Sequence, residues 1–228
     1  MATQAQTVIM NSGAGFPATI SGLIGWYDTQ SFQEKDGKWY DKSGRGNHAT
    51  TSGVVTKSSA NVSGFGATKM GQCVQGTATT AYVTFPLNVI LPSTYTLFHV
   101  GRKPSTDNGW ILARGPSSTA NTWLSGFFQA ATGTAYHEGW VGTSGTDTFG
   151  RNWIISSDQN YFYRANARAS TQGTAGAGAY TNQLAINWVT PSASWQFAEI
   201  IVYNRTLTSA EIGQMEGYLA QRYGITLG

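Results

Sequence analysis

The stretch from Trp195 to Leu227 constrains this chain more than any other. It reads as a strand, a turn and an amphipathic helix. Phe197-Ala198-Glu199-Ile200-Ile201-Val202-Tyr203 is rich in β-branched and aromatic residues and stops at the turn signal Asn204-Arg205. Strict alternation puts Ala198, Ile200 and Val202 on one face, and Phe197, Glu199, Ile201 and Tyr203 on the other. Glu199 is the only charge in the run, which predicts burial on at least one side. Thr208-Ser209-Ala210-Glu211 fits a capping box, with Leu207 and Ile212 at the two staple positions around it. Ile212, Met215, Leu219 and Tyr223 then recur at helical spacing as one apolar stripe. Glu211 in the first turn and Arg222 in the last both suit the helix dipole. Gly224 is the expected stop, with Ile225 placed to fold back. A short helix of this kind needs a large partner to dock on, and it carries no chemistry of its own.

The partner is predicted to be β-rich. Charged residues are 11% of the 228, aromatics 13%, and there are 28 glycines. Few charges, many aromatics and abundant Gly, Ser and Thr fit strands joined by many turns. An apolar fraction of 40% argues against disorder. Candidate strands are Leu23–Tyr27, Val54–Thr56, Ala81–Phe85, Tyr95–Val100, Trp110–Ala113, Trp123–Gln129, Tyr136–Val141, Trp153–Ser156, Tyr161–Arg164 and Leu184–Trp188. Their spacing predicts an all-β fold, an antiparallel two-sheet jelly-roll sandwich closed by the short C-terminal α-helix. Residues 1–20 are small and polar and read as an arm or linker, leaving 21–228 as the domain. Cys73 is alone, so it is expected as a small buried apolar group.

Two stretches are similar to a known family. Gly22-Leu23-Ile24-Gly25-Trp26-Tyr27, then Trp39-Tyr40-Asp41 and Ser43-Gly44-Arg45-Gly46-Asn47-His48-Ala49-Thr50, resemble the opening of concanavalin A-like, laminin-G-like lectin/glucanase domains. Ala198 to Arg205, Leu207 to Ile212 and Gly217 to Ile225 resemble the same family's last strand and helix. The resemblance implies a sandwich of two curved antiparallel sheets, frequent glycan binding, sometimes calcium, and an occasional glycanase. Fold does not settle function. One departure stands out: where many relatives have an Asn-Gly hairpin, this chain has Asn166-Ala167, which puts that turn in doubt.

Glycan hydrolysis needs two carboxyl groups about 5–10 Å apart across a cleft. The family's glucanase members place acids at alternate positions on one strand, and no such string occurs among the eleven acids here. Glu34 and Asp36 have the spacing but sit among lysines, while Glu138 and Glu199 each stand alone. The expectation is therefore that the chain is not an enzyme. Asp41, Ser43 and Asn47 can supply oxygen ligands for calcium. The competing reading is an Asx-type turn in which those side chains bond local amides, and Lys42 and Arg45 repel a cation. Gly64-Phe65-Gly66 and the run Gly173–Gly178 lack the strand-loop-helix context of a phosphate loop.

The functional signal is aromatic. Sugar rings have apolar C–H faces and polar rims, so their sites combine a flat aromatic with hydroxyl and amide groups. Trp123 beside Asn121, and Tyr136 with His137 and Trp140, are the candidate carbohydrate-binding residues. Trp26, Trp153, Trp188 and Trp195 are expected in the core. The net charge of +3 is scattered, so no nucleic-acid surface is predicted. No apolar run approaches a membrane span, and the N-terminus lacks the regions of a secretory signal. A sugar-binding fold without an export signal fits a virus or phage particle assembled inside the cell. The leading expectation is thus a lectin-like structural protein on the virion surface, a capsid decoration or fibre head. Its partners would be host glycans, other virion proteins and further copies of itself. The alternatives are a carbohydrate-binding module of an extracellular protein, a structural protein without ligand, and a glycanase.

Overall fold

A computed structural model describes residues 15–60, 62–77, 80–91, 94–118, 122–141, 149–169 and 182–228. In chain order the strands are β1 (Leu23–Asp28), β2 (Phe32–Gln33), β3 (Lys38–Trp39), β4 (Ala49–Ser52), β5 (Val55–Ser58), β6 (Cys73–Gly76), β7 (Tyr82–Thr84), β8 (Ile90–Leu91) and β9 (Thr96–Arg102). They continue as β10 (Leu112–Arg114), β11 (Trp123–Phe128), β12 (Ala131–His137), β13 (Ile154–Gln159), β14 (Phe162–Ala165), β15 (Arg168–Ala169), β16 (Asn182–Ile186) and β17 (Trp195–Tyr203). One helix, α1 (Ser209–Tyr223), follows. The first sheet runs β15-β14-β13-β9-β17-β6-β5, with β1 also on β17. The second runs β12-β11-β10-β16-β7-β4-β3-β2, with β8 also on β16. All the pairings are antiparallel, and the fold is an all-β two-sheet sandwich with a C-terminal helix.

β17 is the organising strand. It pairs with β9 along one edge and with β1 and β6 end to end along the other. A bulge between Phe197 and Glu199 corrects the simple alternation. Phe197, Ile200 and Val202 enter the core between the sheets, with Trp195, Leu97, Leu112, Trp123, Ile154 and Ile186. Ala198, Ile201 and Tyr203 form a second core on the outer face of the first sheet, under Ile212, Met215 and Leu219 of α1. The extra residue therefore exchanges Phe197 and Ala198 between faces.

The helix is fixed as its sequence dictates. The Thr208 hydroxyl accepts from the Glu211 amide, the Glu211 carboxylate accepts from the Thr208 amide at 2.8 Å, and Gly224 ends the helix in a left-handed conformation at φ 66°. Leu207 and Ile212 are both buried around that cap.

The two stretches that carry the family resemblance lie side by side. β1 is zipped to β17, and four buried or half-buried charges tie them to the helix. Arg222 of α1 reaches Asp28 at 2.9 Å and Glu199 at 3.4 Å, and Lys42 reaches Asp28 at 2.6 Å. Glu199 also accepts from the Trp26 indole and from the Tyr223 hydroxyl, each at 2.7 Å. Burial pushes the Glu199 carboxyl above its usual range against the pull of Arg222.

The remaining departures are local. β12 covers Ala131–His137 rather than starting at Tyr136, because small residues carry it through the register with β11. β14 and β15 form a two-residue hairpin in which Asn166 and Ala167 hold φ of 50° and 61°. The hairpin exists without the expected glycine. Trp188 is 39% exposed rather than core: β16 ends at Ile186, and Asn187 at φ 60° turns the chain outward. Cys73 is buried, and burial pushes its thiol up to about 12. No helix among the described residues is long and apolar enough to cross a membrane.

Candidate functional site

The sequence offered two candidate groups, Trp123 beside Asn121, and Tyr136 with His137 and Trp140; the structure pairs Trp123 with His137 and leaves Tyr136 with Trp140. Trp123 of β11 lies directly opposite His137 of β12, so both point to the same side of the sheet, and both are fully buried. Their rings stack at 5.6 Å with 10° between planes. The Trp123 indole donates to the Tyr95 hydroxyl at 3.2 Å, and that hydroxyl donates to Asp158 at 2.8 Å. His137 Nδ1 lies 2.9 Å from the Asn160 carbonyl, and Nε2 lies 3.2 Å from Asp158. This cluster ties the second sheet to the first. Trp123 and His137 cannot meet a ligand from the surface, because a buried polar network is satisfied by its own members. That assignment is corrected for these two. Asn121 lies outside the described residues.

Tyr136 and Trp140 face the other way. Period-2 alternation turns Tyr136 outward beside the inward His137. The chain then doubles back: the His137 amide donates to the Gly139 carbonyl at 2.8 Å, and the Val141 amide to the Ala135 carbonyl at 3.0 Å. Glu138 takes φ 54° in that turn and its carboxylate accepts from the Thr122 amide at 3.2 Å. The result lays Trp140 against Tyr136, centroids 5.1 Å apart and edge to face. Phe128, outward at the end of β11, meets Trp140 at 5.1 Å, and Trp110 meets Phe128 at 5.7 Å. Four half-buried rings thus form one continuous band on the outer face of the second sheet. Farther along that face, Tyr82 of β7 holds the exposed Trp188 at 5.1 Å. Trp110, Phe128 and the Tyr82–Trp188 pair were missed as a group. Each belongs to a different strand or turn, and only the cross-strand register brings them together.

The loop proposed for calcium closes on itself. Asp41 Oδ1 accepts from the amides of Trp26 at 3.0 Å and Ser43 at 2.8 Å. Its Oδ2 accepts from the Ser43 hydroxyl at 2.7 Å and the Asn47 amide at 3.0 Å. The Asn47 side chain donates to the Ile24 carbonyl at 2.7 Å. Four donors occupy the Asp41 carboxylate, so the loop is a turn that pins β1, in the Asx manner. Among the described residues, no group of three or more His, Cys, Asp or Glu side chains is placed to hold a metal.

No family model and no curated protein matches this chain. Solved structures do resemble it. Domain 4 of AbnA, a GH43 extracellular arabinanase from Geobacillus stearothermophilus solved in complex with arabinotriose, superposes with a TM-score of 0.56 at 13% identity, over 86% of this chain and 97% of that one. Trypanosoma rangeli sialidase in complex with 2,3-difluorosialic acid gives 0.53 at 13% identity, over 89% of this chain and 33% of the sialidase. The binding domain of Paraclostridial Mosquitocidal Protein 1 gives 0.50 at 11% identity, over 88% and 52%. This chain therefore spans a third of the sialidase and about half of the mosquitocidal binding domain. At such identities the likeness establishes the fold. It also corrects one expectation. The same sandwich is built into a sialidase and into an arabinanase, so the sequence-based conclusion that this chain is not an enzyme does not stand.

Proposed function

We propose that this chain is a carbohydrate-binding domain whose glycan-contacting surface is the aromatic band Trp110–Phe128–Trp140–Tyr136. The observation that carries this reading is the band itself: rings 5.1–5.7 Å apart, half-buried, on the sheet face opposite the one packed into the core. Half-burial fixes each ring while leaving apolar surface for a sugar's C–H face, and Tyr136 adds a hydroxyl for the polar rim. Trp123, His137, Tyr95 and Asp158 support the band from beneath by locking β11 and β12 onto the first sheet.

The sandwich is of the concanavalin A-like, laminin-G-like kind in this reading. Support comes from the two family-like stretches, which meet as β1 and β17 and share the Asp28–Arg222–Glu199 clasp. The arabinanase domain and its arabinotriose complex add support for a glycan partner, with a saccharide chain rather than a single ring matching the length of the band. A glycan array probed with the purified chain tests the proposal. Binding to one class of oligosaccharide is expected, and it should weaken in Trp140→Ala and in Tyr136→Ala. An array blank for the wild-type chain would remove the proposal.

A further inference from the structure

The loop Gly64-Phe65-Gly66 holds three successive residues at positive φ, 80°, 48° and 78°. Left-handed backbone suits glycine and is unfavourable for phenylalanine, and such outliers persist where the surroundings hold a side chain for a purpose. Here the surroundings are specific. The Trp153 amide donates to the Phe65 carbonyl at 2.8 Å, and Gly64 and Ala67 exchange backbone hydrogen bonds at 2.9 and 3.1 Å. The Arg102 guanidinium lies 3.4 Å from the Phe65 ring centroid. The ring is nevertheless 43% exposed and joins neither apolar core.

Phe65 borders a cleft of about 430 Å³ on the first sheet. Along its wall the buried Arg102 donates to the Gln196 side-chain oxygen at 3.1 Å, and Gln196 donates to the Gln75 side-chain oxygen at 3.0 Å. Ser58 and Ser194 add hydroxyls. The Arg102 charge is engaged by Gln196, by the Arg151 carbonyl at 2.6 Å and by the Phe65 ring. Ser105, also in the lining, donates to the Asp107 carboxylate at 2.7 Å.

We infer that this cleft is a second ligand site, for a single neutral hexopyranose unit. Phe65 would cover the ring's C–H face, while Gln75, Ser58 and Ser194 meet its hydroxyls. Amides and hydroxyls both donate and accept, as sugar hydroxyls do. The volume sits at the small end of the roughly 300–1,000 Å³ typical of small-molecule sites, which suits one ring rather than a chain. The site does not rest on the aromatic band of the second sheet, and it can be tested apart from it.

The test is saturation-transfer NMR on the full chain with the methyl glycosides of glucose, galactose, mannose and N-acetylglucosamine, and with methyl glucuronide as the charged control. At least one neutral glycoside should bind. Phe65→Asn should weaken it at least tenfold, and Tyr161→Ala, which removes an exposed ring in neither site, should leave it unchanged. Asparagine tolerates the left-handed backbone, so Phe65→Asn should fold with a melting temperature at or above that of the wild type. Gln75→Ala gives a second variant that leaves the loop intact and should also weaken binding. The inference is overturned if no neutral glycoside binds, if only the glucuronide does, if Phe65→Asn retains full affinity, or if Tyr161→Ala abolishes the signal.

Discussion

Replacing Arg222 with Met should destabilise the fold by about 3 kcal/mol, far more than a surface charge would. The side chain holds three partners: Asp28 at 2.9 Å, Glu199 at 3.4 Å and the Tyr218 hydroxyl at 2.7 Å. Methionine keeps the apolar stem and removes the charge. Breaking a buried pair strands the partner charge at a cost of about 3–5 kcal/mol. The low end applies because Lys42 still pairs with Asp28, and because Trp26 and Tyr223 still donate to Glu199. In a domain of this size that loss lowers the melting temperature by roughly 6–12 °C. The pH dependence carries a definite sign. Burial already raises the Glu199 carboxyl above its ordinary value, and losing Arg222 raises it further. A group with a raised folded value contributes stability that is complete below its unfolded value of about 4.3 and is lost as pH rises through the folded one. The deficit of Arg222→Met should therefore be larger at pH 8 than at pH 5. Urea unfolding followed by tryptophan fluorescence at the two pH values measures it. A loss under about 1 kcal/mol, equal at both, would mean the clasp is screened like an ordinary surface pair.

Three further substitutions or titrations follow from the same geometry. Ala167→Gly, at φ 61° in the β14–β15 hairpin, should stabilise the chain by about 1 kcal/mol, read as a raised urea midpoint, since glycine carries no left-handed penalty. Thr208→Ala should cost about 1 kcal/mol by the same assay, because the Glu211 amide loses its acceptor. His99 is fully buried, and burial pushes it down to about 3. It stays neutral in the fold while the unfolded chain takes up its proton below about 6.5. Its share of the stability is thus present above that value and lost as pH falls from there toward 3. NMR of the His99 ring should show no titration between pH 5 and 8, and a midpoint near 6.5 would contradict its burial.

The closing strand and helix were legible because their signals are local: a capping box, a staple and a stop glycine lie within a few residues of what they control. Burial of β17 was legible too, from a nearly uncharged run of β-branched residues. The facing of its side chains was not, since the bulge after Phe197 depends on pairing with β9 rather than on composition. The same limit governs the candidate site. Trp123 and Tyr136 read as equivalent aromatics, yet the register opposes Trp123 to His137, burying that pair and turning Tyr136 outward. Asn187 and Asn166 act through positive φ, which releases Trp188 from the expected core and lets an Asn-Ala turn stand in for Asn-Gly. Trp110 and Phe128 join Trp140 only through the order of strands in the second sheet. Short strands such as β2, β3 and β15 are too brief to show a period.

In the proposed function, the outward rings bind glycan while the inward ones only hold the sheets together. Isothermal titration of Trp140→Ala against the strongest oligosaccharide from the array tests it most directly. The expected result is a dissociation constant at least tenfold weaker, about 1.4 kcal/mol, with the urea midpoint of the wild type retained. An unchanged dissociation constant in that stably folded variant would contradict it.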